Sequence, residues 1–276
     1  MYQALYRKWR PQTFADVIGQ QHITDTLRAQ LQSGRLSHAY LFTGTRGTGK
    51  TTCAKILARA VNCEHPVNGD PCNECAACRG ILDGSVLDVT EIDAASNNGV
   101  DNIRDLRDET RYTPAQVRKR VFIIDEVHML SIGAFNALLK TLEEPPEHVL
   151  FILATTELHK VPATILSRCQ RFDFRRIGAE DISRRLLDVA AGEGIALTEG
   201  AARLIARLAD GAMRDALSML DRAAAAGAVD EKTVTAALGV MGQDDGIRLA
   251  EHLKTGDLAA AVGLLDEYCL LYTSPS

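Results

Sequence analysis

The octapeptide Gly44-Thr45-Arg46-Gly47-Thr48-Gly49-Lys50-Thr51 matches G-x-x-x-x-G-K-[ST] at every fixed position. Glycines at these places let successive backbone N–H groups curl around phosphate at a helix N-terminus, where the helix dipole also favours negative charge. Lys50 is then expected to reach the β and γ phosphates, and the Thr51 hydroxyl to ligate Mg²⁺. A phosphate loop needs an acidic partner, and "VFIIDEVH" delivers one at the end of an apolar strand. Asp125 is expected to hold Mg²⁺ through water, and Glu126 to orient and activate the attacking water. A carboxylate pair at a strand end can also merely cap a following helix; its coincidence with the phosphate loop favours catalysis. "LATTE" places Thr155 and Thr156 at the carboxyl end of the next strand, where an open α/β sheet binds ligands. A hydroxyl there can sense the γ-phosphate or position the water, although β-branched strand residues need no function at all.

A second constellation follows the phosphate loop. Cys63-x8-Cys72-x2-Cys75-x2-Cys78 offers four thiolates at the short spacings of tetrahedral Zn²⁺ sites, flanked by the turn formers Asn68-Gly69-Asp70-Pro71 and Asn73. A redox pair would need one C-x-x-C ahead of a helix, not two overlapping ones and a distant fourth cysteine. His65 is a competing ligand, but four thiolates need no help. They also leave no open position for water, so the zinc reads as structural. Cys53 and Cys169 read as core or interface residues.

Composition sets the limits within which these sites must work. The chain has 276 residues, 46% hydrophobic and 24% charged, with a formal net charge of -5. That size favours two cores over one. The longest apolar runs are strand-sized, well short of the roughly 20 residues of a membrane span. No apolar leader opens the chain, so a cytoplasmic location is expected, where clustered thiols hold metal more often than they form disulfides. The acidic balance argues against a wholly basic nucleic-acid coat but leaves room for local patches at Arg7 to Arg10, Arg118 to Arg120 and Arg168 to Arg176.

The elements that must hold these residues alternate. "DVIGQQHITDTLRAQLQSG" has helical spacing, "HAYLFTG" is a strand, and "KTTCAKILARAVNC" is a helix. "VLDVTEID", "RVFIIDE" and "HVLFILATT" read as further strands, with "VDNIRDLRDETR" and "GAFNALLKTLEE" as the helices between them. Alternation implies parallel pairing, hence an α/β fold with a three-layer parallel sheet. From "FRRIGAEDISRRLL" onward only helical patterns occur. The expected organisation is an ATPase domain over residues 1–177 with the zinc knuckle at 63–78, and a helical domain over 178–240. A third helical unit begins at 241–268. The last eight residues, "CLLYTSPS", break the helical period and resemble a translated sequencing adapter, so 269–276 is expected to be non-native and the natural chain longer, the alternative being a native disordered tail.

Arg168 in "LSRCQRF" taken alone reads as a surface arginine, and Arg214 in "GAMRDALSML" falls in the first turn of a helix. Together with "YRKWRPQTFADVIGQ", "EIDAASNNGVDNIRDL" and "IIDEVHMLSIGAFNALLKTLEEPPEHV", these segments closely resemble the gamma/tau family of bacterial DNA polymerase III clamp-loader subunits. The resemblance runs from Tyr2 to Leu238. It implies an AAA+ P-loop ATPase with a helical lid and a collar domain, here truncated, that acts in DNA replication within the DNA polymerase III complex. It implies that Arg168 is an arginine finger acting on ATP in a neighbouring subunit, and that Arg214 touches the phosphates of its own. It also makes Val17, Ile18 and Gly19 a wall for adenine, and it supports zinc in the knuckle. Implied partners are other clamp-loader subunits in a hetero-pentamer, the sliding clamp and primer-template DNA, with Asn98, Arg104 and Lys160 as candidate backbone contacts. Two other readings are a non-hydrolysing scaffold resembling the delta-prime subunit and another AAA+ DNA motor.

Overall fold

The computed structural model describes residues 2–225, 227–240 and 243–273. In chain order the helices are α1 (Leu5–Lys8), α2 (Gln21–Ser33), α3 (Lys50–Asn62), α4 (Ala76–Asp83), α5 (Val100–Glu109), α6 (Ile132–Glu143) and α7 (Ala163–Leu166). They interleave with strands β1 (Ala39–Thr43), β2 (Val89–Asp93), β3 (Arg120–Asp125), β4 (Val149–Thr155) and β5 (Gln170–Asp173). After them, among the described residues, come the helices α8 (Ala179–Glu193), α9 (Glu199–Leu208), α10 (Met213–Ala224), α11 (Glu231–Leu238), α12 (Gln243–Thr255) and α13 (Leu258–Thr273).

The five strands form one sheet in the order β2-β3-β4-β1-β5, with every pair parallel. β1, β3 and β4 are apolar along nearly their whole length because both faces of the sheet are covered. One face packs Tyr40, Phe42, Ile123 and Ile152 against Ile23 and Leu27 of α2 and Ile56 and Leu57 of α3. The other packs Leu41, Phe122, Ile124 and Phe151 against Ile103 and Leu106 of α5 and Leu138 and Leu142 of α6. That gives the expected three layers. Parallel pairing also sets the carboxyl ends of the strands side by side, with Thr43 of β1 opposite Thr155 of β4 and Asp93 of β2 opposite Asp125 of β3.

By its contacts the chain divides into a unit of Arg10–Ile177 and a unit of Met1–Trp9 with Gly178–Ser276. The first nine residues, expected in the ATPase domain, therefore belong with the helical unit. The physical reason lies in their side chains: Trp9 Nε1 donates to Glu193 at 2.6 Å, Lys8 pairs with Glu193 at 2.7 Å, and the Arg185 guanidinium lies 5.4 Å from the Trp9 ring. Residues 241–268 are likewise not divided from those before them. α13 continues through Thr273, past the break in period expected at Cys269, and residues 274–276 lie outside those described. No helix among the described residues is long and apolar enough to cross a membrane.

Candidate functional site at the carboxyl edge of the sheet

From Thr43 the chain bends through Gly44 to Gly49 into α3. Gly44 has a φ of 145°, and an added Cβ would lie 2.4 Å from the Phe174 carbonyl oxygen, so only glycine fits where the strand turns into the loop. Thr48 Oγ1 donates to the Thr45 carbonyl at 2.8 Å, while Thr45 and Arg46 stand exposed on the outer side. Lys50 Nζ donates to the carbonyl oxygens of Gly44 and Thr45, each at 2.9 Å. Burial pulls its ammonium below the usual lysine range, against the opposing pull of the Glu126 and Asp125 carboxylates. A phosphate would give this buried cation an ionised acceptor in place of two carbonyls. The first-turn amides of α3, beginning at Lys50, lack helical acceptors and supply the rest of an anion cradle.

Across the sheet edge Thr51 Oγ1 donates to Asp125 Oδ2 at 2.7 Å, bringing together the two oxygens expected around Mg²⁺. Hard oxygen donors beside a phosphate cradle suit that ion. Glu126 follows in the left-handed region, at φ 48° and ψ 45°, a conformation that costs a non-glycine residue about 1 kcal/mol. This backbone turn brings its carboxylate to the end of β4. There Glu126 Oε2 accepts from the Thr156 amide at 3.1 Å and the Thr156 hydroxyl at 2.8 Å.

His128, to which the sequence reading gave no role, packs its side chain, 6% exposed, among the same groups. Its Nδ1 lies 3.0 Å from Thr155 Oγ1 and 3.3 Å from Glu126 Oε2, and its Nε2 lies 3.2 Å from Glu157 Oε1. Thr155 Oγ1 also accepts the Glu157 amide at 3.0 Å. The histidine's place in "IDEVH" is its only sequence signal. Gln20 was missed as well. It is fully buried, its Nε2 donates to the carbonyls of Arg175 at 2.7 Å and Thr48 at 3.4 Å, and its Oε1 accepts the Arg175 amide at 3.1 Å. Nothing in the local sequence marks it.

Arg168 sits in the turn between α7 and β5. Its Nη1 donates to the Thr164 carbonyl at 2.7 Å and Ser167 Oγ at 3.2 Å, and its Nη2 pairs with Glu143 at 2.7 Å. Arg214 lies in the other unit, its guanidinium 4.9 Å from the Tyr6 ring. Among the candidate DNA contacts, Arg104 pairs with Asp101 at 2.9 Å and Lys160 with Glu157 at 2.8 Å, while the Asn98 carbonyl accepts the Ser131 amide at 3.1 Å.

The sulfurs of Cys63, Cys72, Cys75 and Cys78 all lie within 4.8 Å of one another. A tetrahedron with Zn–S bonds of about 2.3 Å has edges of roughly 3.8 Å, so the donor set fits zinc. Backbone amides already point at three of the sulfurs: Cys72 N–H at Cys63 Sγ, Glu74 and Cys75 N–H at Cys72 Sγ, and Cys78 N–H at Cys75 Sγ, at 3.3 to 3.5 Å. The amides of Glu74 and Cys75 bring the Cys72 thiol down to about 6, whereas burial pushes Cys63 and Cys78 up. His65 is not among the clustered ligands. Cys53 is fully buried and its thiol is pushed up to about 12 by burial, and Cys169 is half-buried with the same shift for the same reason.

Comparison with known proteins adds to this geometry. Residues 19–178 match the family model described as DNA polymerase III, delta subunit, and residues 181–229 match that of the DNA polymerase III clamp loader subunit, ATPase lid domain. The chain is 64% identical over 222 residues to DNA polymerase III subunit tau of Bacillus subtilis, covering 80% of this chain and 39% of that protein. It is 49% identical over 268 residues to the tau subunit of Escherichia coli, covering 96% of this chain and 42% of the other. With the gamma subunit of Buchnera aphidicola it shares 45% identity over 268 residues, covering 96% of this chain and 74% of that one. It thus spans about two fifths of the length of the tau relatives. The Holliday junction branch migration motor RuvB of Thermotoga maritima superposes with a TM-score of 0.64 at 17% identity, over 92% of this chain and 85% of that one. That likeness speaks to the fold.

Proposed function

The chain belongs to the gamma/tau family of DNA polymerase III clamp-loader subunits, and on that footing we propose that it is an ATP-hydrolysing motor that loads a sliding clamp onto primed DNA. The observation that carries this reading is the convergence, on one sheet edge, of the buried Lys50, the Thr51–Asp125 pair and the Glu126–Thr156 pair. Gly44 to Gly49 cradle the phosphates, Lys50 neutralises the β and γ oxygens, and Thr51 and Asp125 hold Mg²⁺. When bound, the ion supplies neutralisation of the charge that develops on those oxygens. Glu126 leaves Thr156 to orient the attacking water and accept its proton, and Thr155 contacts the γ-phosphate side of the site. Arg168 leaves Glu143 to reach the nucleotide of a neighbouring subunit, and Arg214 contacts the phosphates of its own.

Under this reading residues 178–240 form the lid and 241–268 begin the collar through which a hetero-pentamer assembles. Cys63, Cys72, Cys75 and Cys78 hold a structural zinc. ATP binding closes a spiral of subunits that opens the clamp and grips primer-template DNA, with Asn98, Arg104 and Lys160 on the phosphate backbone. Hydrolysis then releases both, because clamp and DNA bind the ATP state more tightly. The action is cytoplasmic, with the replicating chromosome. Lys50 and Glu126 in place together favour a motor over a non-hydrolysing scaffold. The test is clamp loading itself: a loader reconstituted with the full-length subunit should link clamps to nicked circular DNA in the presence of ATP, and one carrying Lys50→Ala should not. Equal loading by the two would overturn the reading.

A further inference from the structure

The cysteine knuckle follows the C-terminal end of α3 and the phosphate loop precedes its N-terminal end, yet side chains of the knuckle hold a segment that reaches that loop. Asp70 accepts the Phe14 backbone amide at 2.5 Å on one carboxylate oxygen and pairs with Arg28 of α2 at 2.6 Å through the other. Gly69, with a φ of 83°, lies flush on α2, where an added Cβ would sit 2.9 Å from the Arg28 backbone. Asn73 Nδ2 donates to the Gln12 carbonyl at 3.2 Å, and its Oδ1 accepts Arg59 Nε at 3.1 Å. Arg59 Nη2 closes the circuit on the carbonyl and side-chain oxygens of Gln12, at 3.0 and 3.1 Å. Two residues of the knuckle loop, Asp70 and Asn73, therefore fix Gln12 to Phe14 from outside, with Arg59 of α3 bracing Gln12.

From that anchor the chain runs inward through Phe14 and Val17, both in the core, to the buried Gln20 and its bond to the Thr48 carbonyl of the phosphate loop. The knuckle loop has little core of its own: its buried side chains are chiefly the cysteines. Its order, and so its hold on Gln12 and Phe14, depends on what joins the four sulfurs.

We propose that the filled knuckle positions the nucleotide site: zinc fixes residues 69–73, these fix residues 12–20, and the phosphate loop is thereby set for its ligand. This rests on the nucleotide reading given above. By linkage the effect is reciprocal, so nucleotide should tighten zinc binding by the same factor that zinc tightens nucleotide binding.

Two variants spare the cysteines and the phosphate loop: Asp70→Asn, which breaks the Arg28 pair, and Asn73→Ser, which shortens the half-buried side chain that holds Gln12 and Arg59. The experiment titrates Mg²⁺-ADP into the full chain by calorimetry, well below its melting temperature, with zinc content measured on each sample. Wild type should bind with one zinc per chain. Asp70→Asn should keep the zinc and bind nucleotide on the order of tenfold more weakly, with Asn73→Ser shifted the same way by less. Chelating zinc from wild type should weaken nucleotide binding by a similar factor, and should weaken the Asp70/Asn73 double variant much less. A purely structural role would lower the melting temperature without moving the affinity. Unchanged affinity in zinc-loaded variants, or in zinc-stripped wild type, overturns the inference while leaving the nucleotide reading intact. Wild type that binds no nucleotide overturns both.

Discussion

Thr156 grips Glu126 twice, through its amide at 3.1 Å and its hydroxyl at 2.8 Å, both on the same carboxylate oxygen. The residue assigned to activate water is thus held as an acceptor on the neighbouring strand end, in a left-handed backbone conformation that aims it there. Thr156→Val removes the hydroxyl and keeps the amide and the shape. Loss of a hydrogen bond of about 1 kcal/mol frees the carboxylate, so unstimulated ATP turnover should rise roughly fivefold and stimulation by DNA should shrink. Steady-state turnover with and without primed DNA checks this; a fall in both would show that Thr156 aids the chemistry directly.

His128 bridges Thr155, Glu126 and Glu157 through its imidazole. Its removal leaves Thr155 and two carboxylates without the group that spaces them. His128→Ala should lower kcat about tenfold with little change in the KM for ATP, because the imidazole contacts Glu126 and Thr155, the groups proposed to act in hydrolysis. A rise in KM with kcat preserved would place the histidine in binding.

Arg168 is held by Glu143 and the Thr164 carbonyl in its own chain. If it acts on a neighbour, Arg168→Ala should leave ATP affinity unchanged and cut turnover of the assembled loader by a factor on the order of 10³. The single chain, with no neighbour, should bind ATP and hydrolyse it slowly whether or not Arg168 is present. Turnover by the isolated chain at the rate of an assembled loader would contradict the assignment in trans.

Asp88 anchors the loop ahead of β3 by accepting the amides of Ala115 and Gln116 and pairing with Arg120 at 2.7 Å. Burial pushes its carboxyl up, but the two amides and the guanidinium outweigh burial and hold it below the ordinary aspartate range. A depressed folded value stabilises the protein above the unfolded one, and that contribution is lost as pH falls through the folded value. Asp88→Asn should therefore cost about 1–3 kcal/mol at neutral pH and progressively less below about pH 4. Denaturant unfolding across that range checks the sign; a constant difference at all pH values would rule out the charge as the cause.

What the sequence disclosed was what is encoded locally. The phosphate loop, the Asp125–Glu126 pair, the two threonines and the cysteine spacing each lie within a short run, and the structure brings the first three to one edge because the strands are parallel. β5 escaped notice because four residues, Gln170 to Asp173, are too short to show a period, and only pairing with β1 makes them a strand. The first nine residues were misplaced because their partner, Glu193, is distant in the chain. His128 and Gln20 have meaning only through what folding sets beside them, and no spacing rule reports that.

Motor activity is tested by ATP hydrolysis in a loader reconstituted from full-length subunits, measured with clamp and primed DNA added together. Wild type should be strongly stimulated, and Lys50→Ala should show neither basal nor stimulated turnover. Stimulated turnover equal in the two would contradict the motor assignment, since the buried ammonium at the head of α3 would then have no part in the reaction proposed for it.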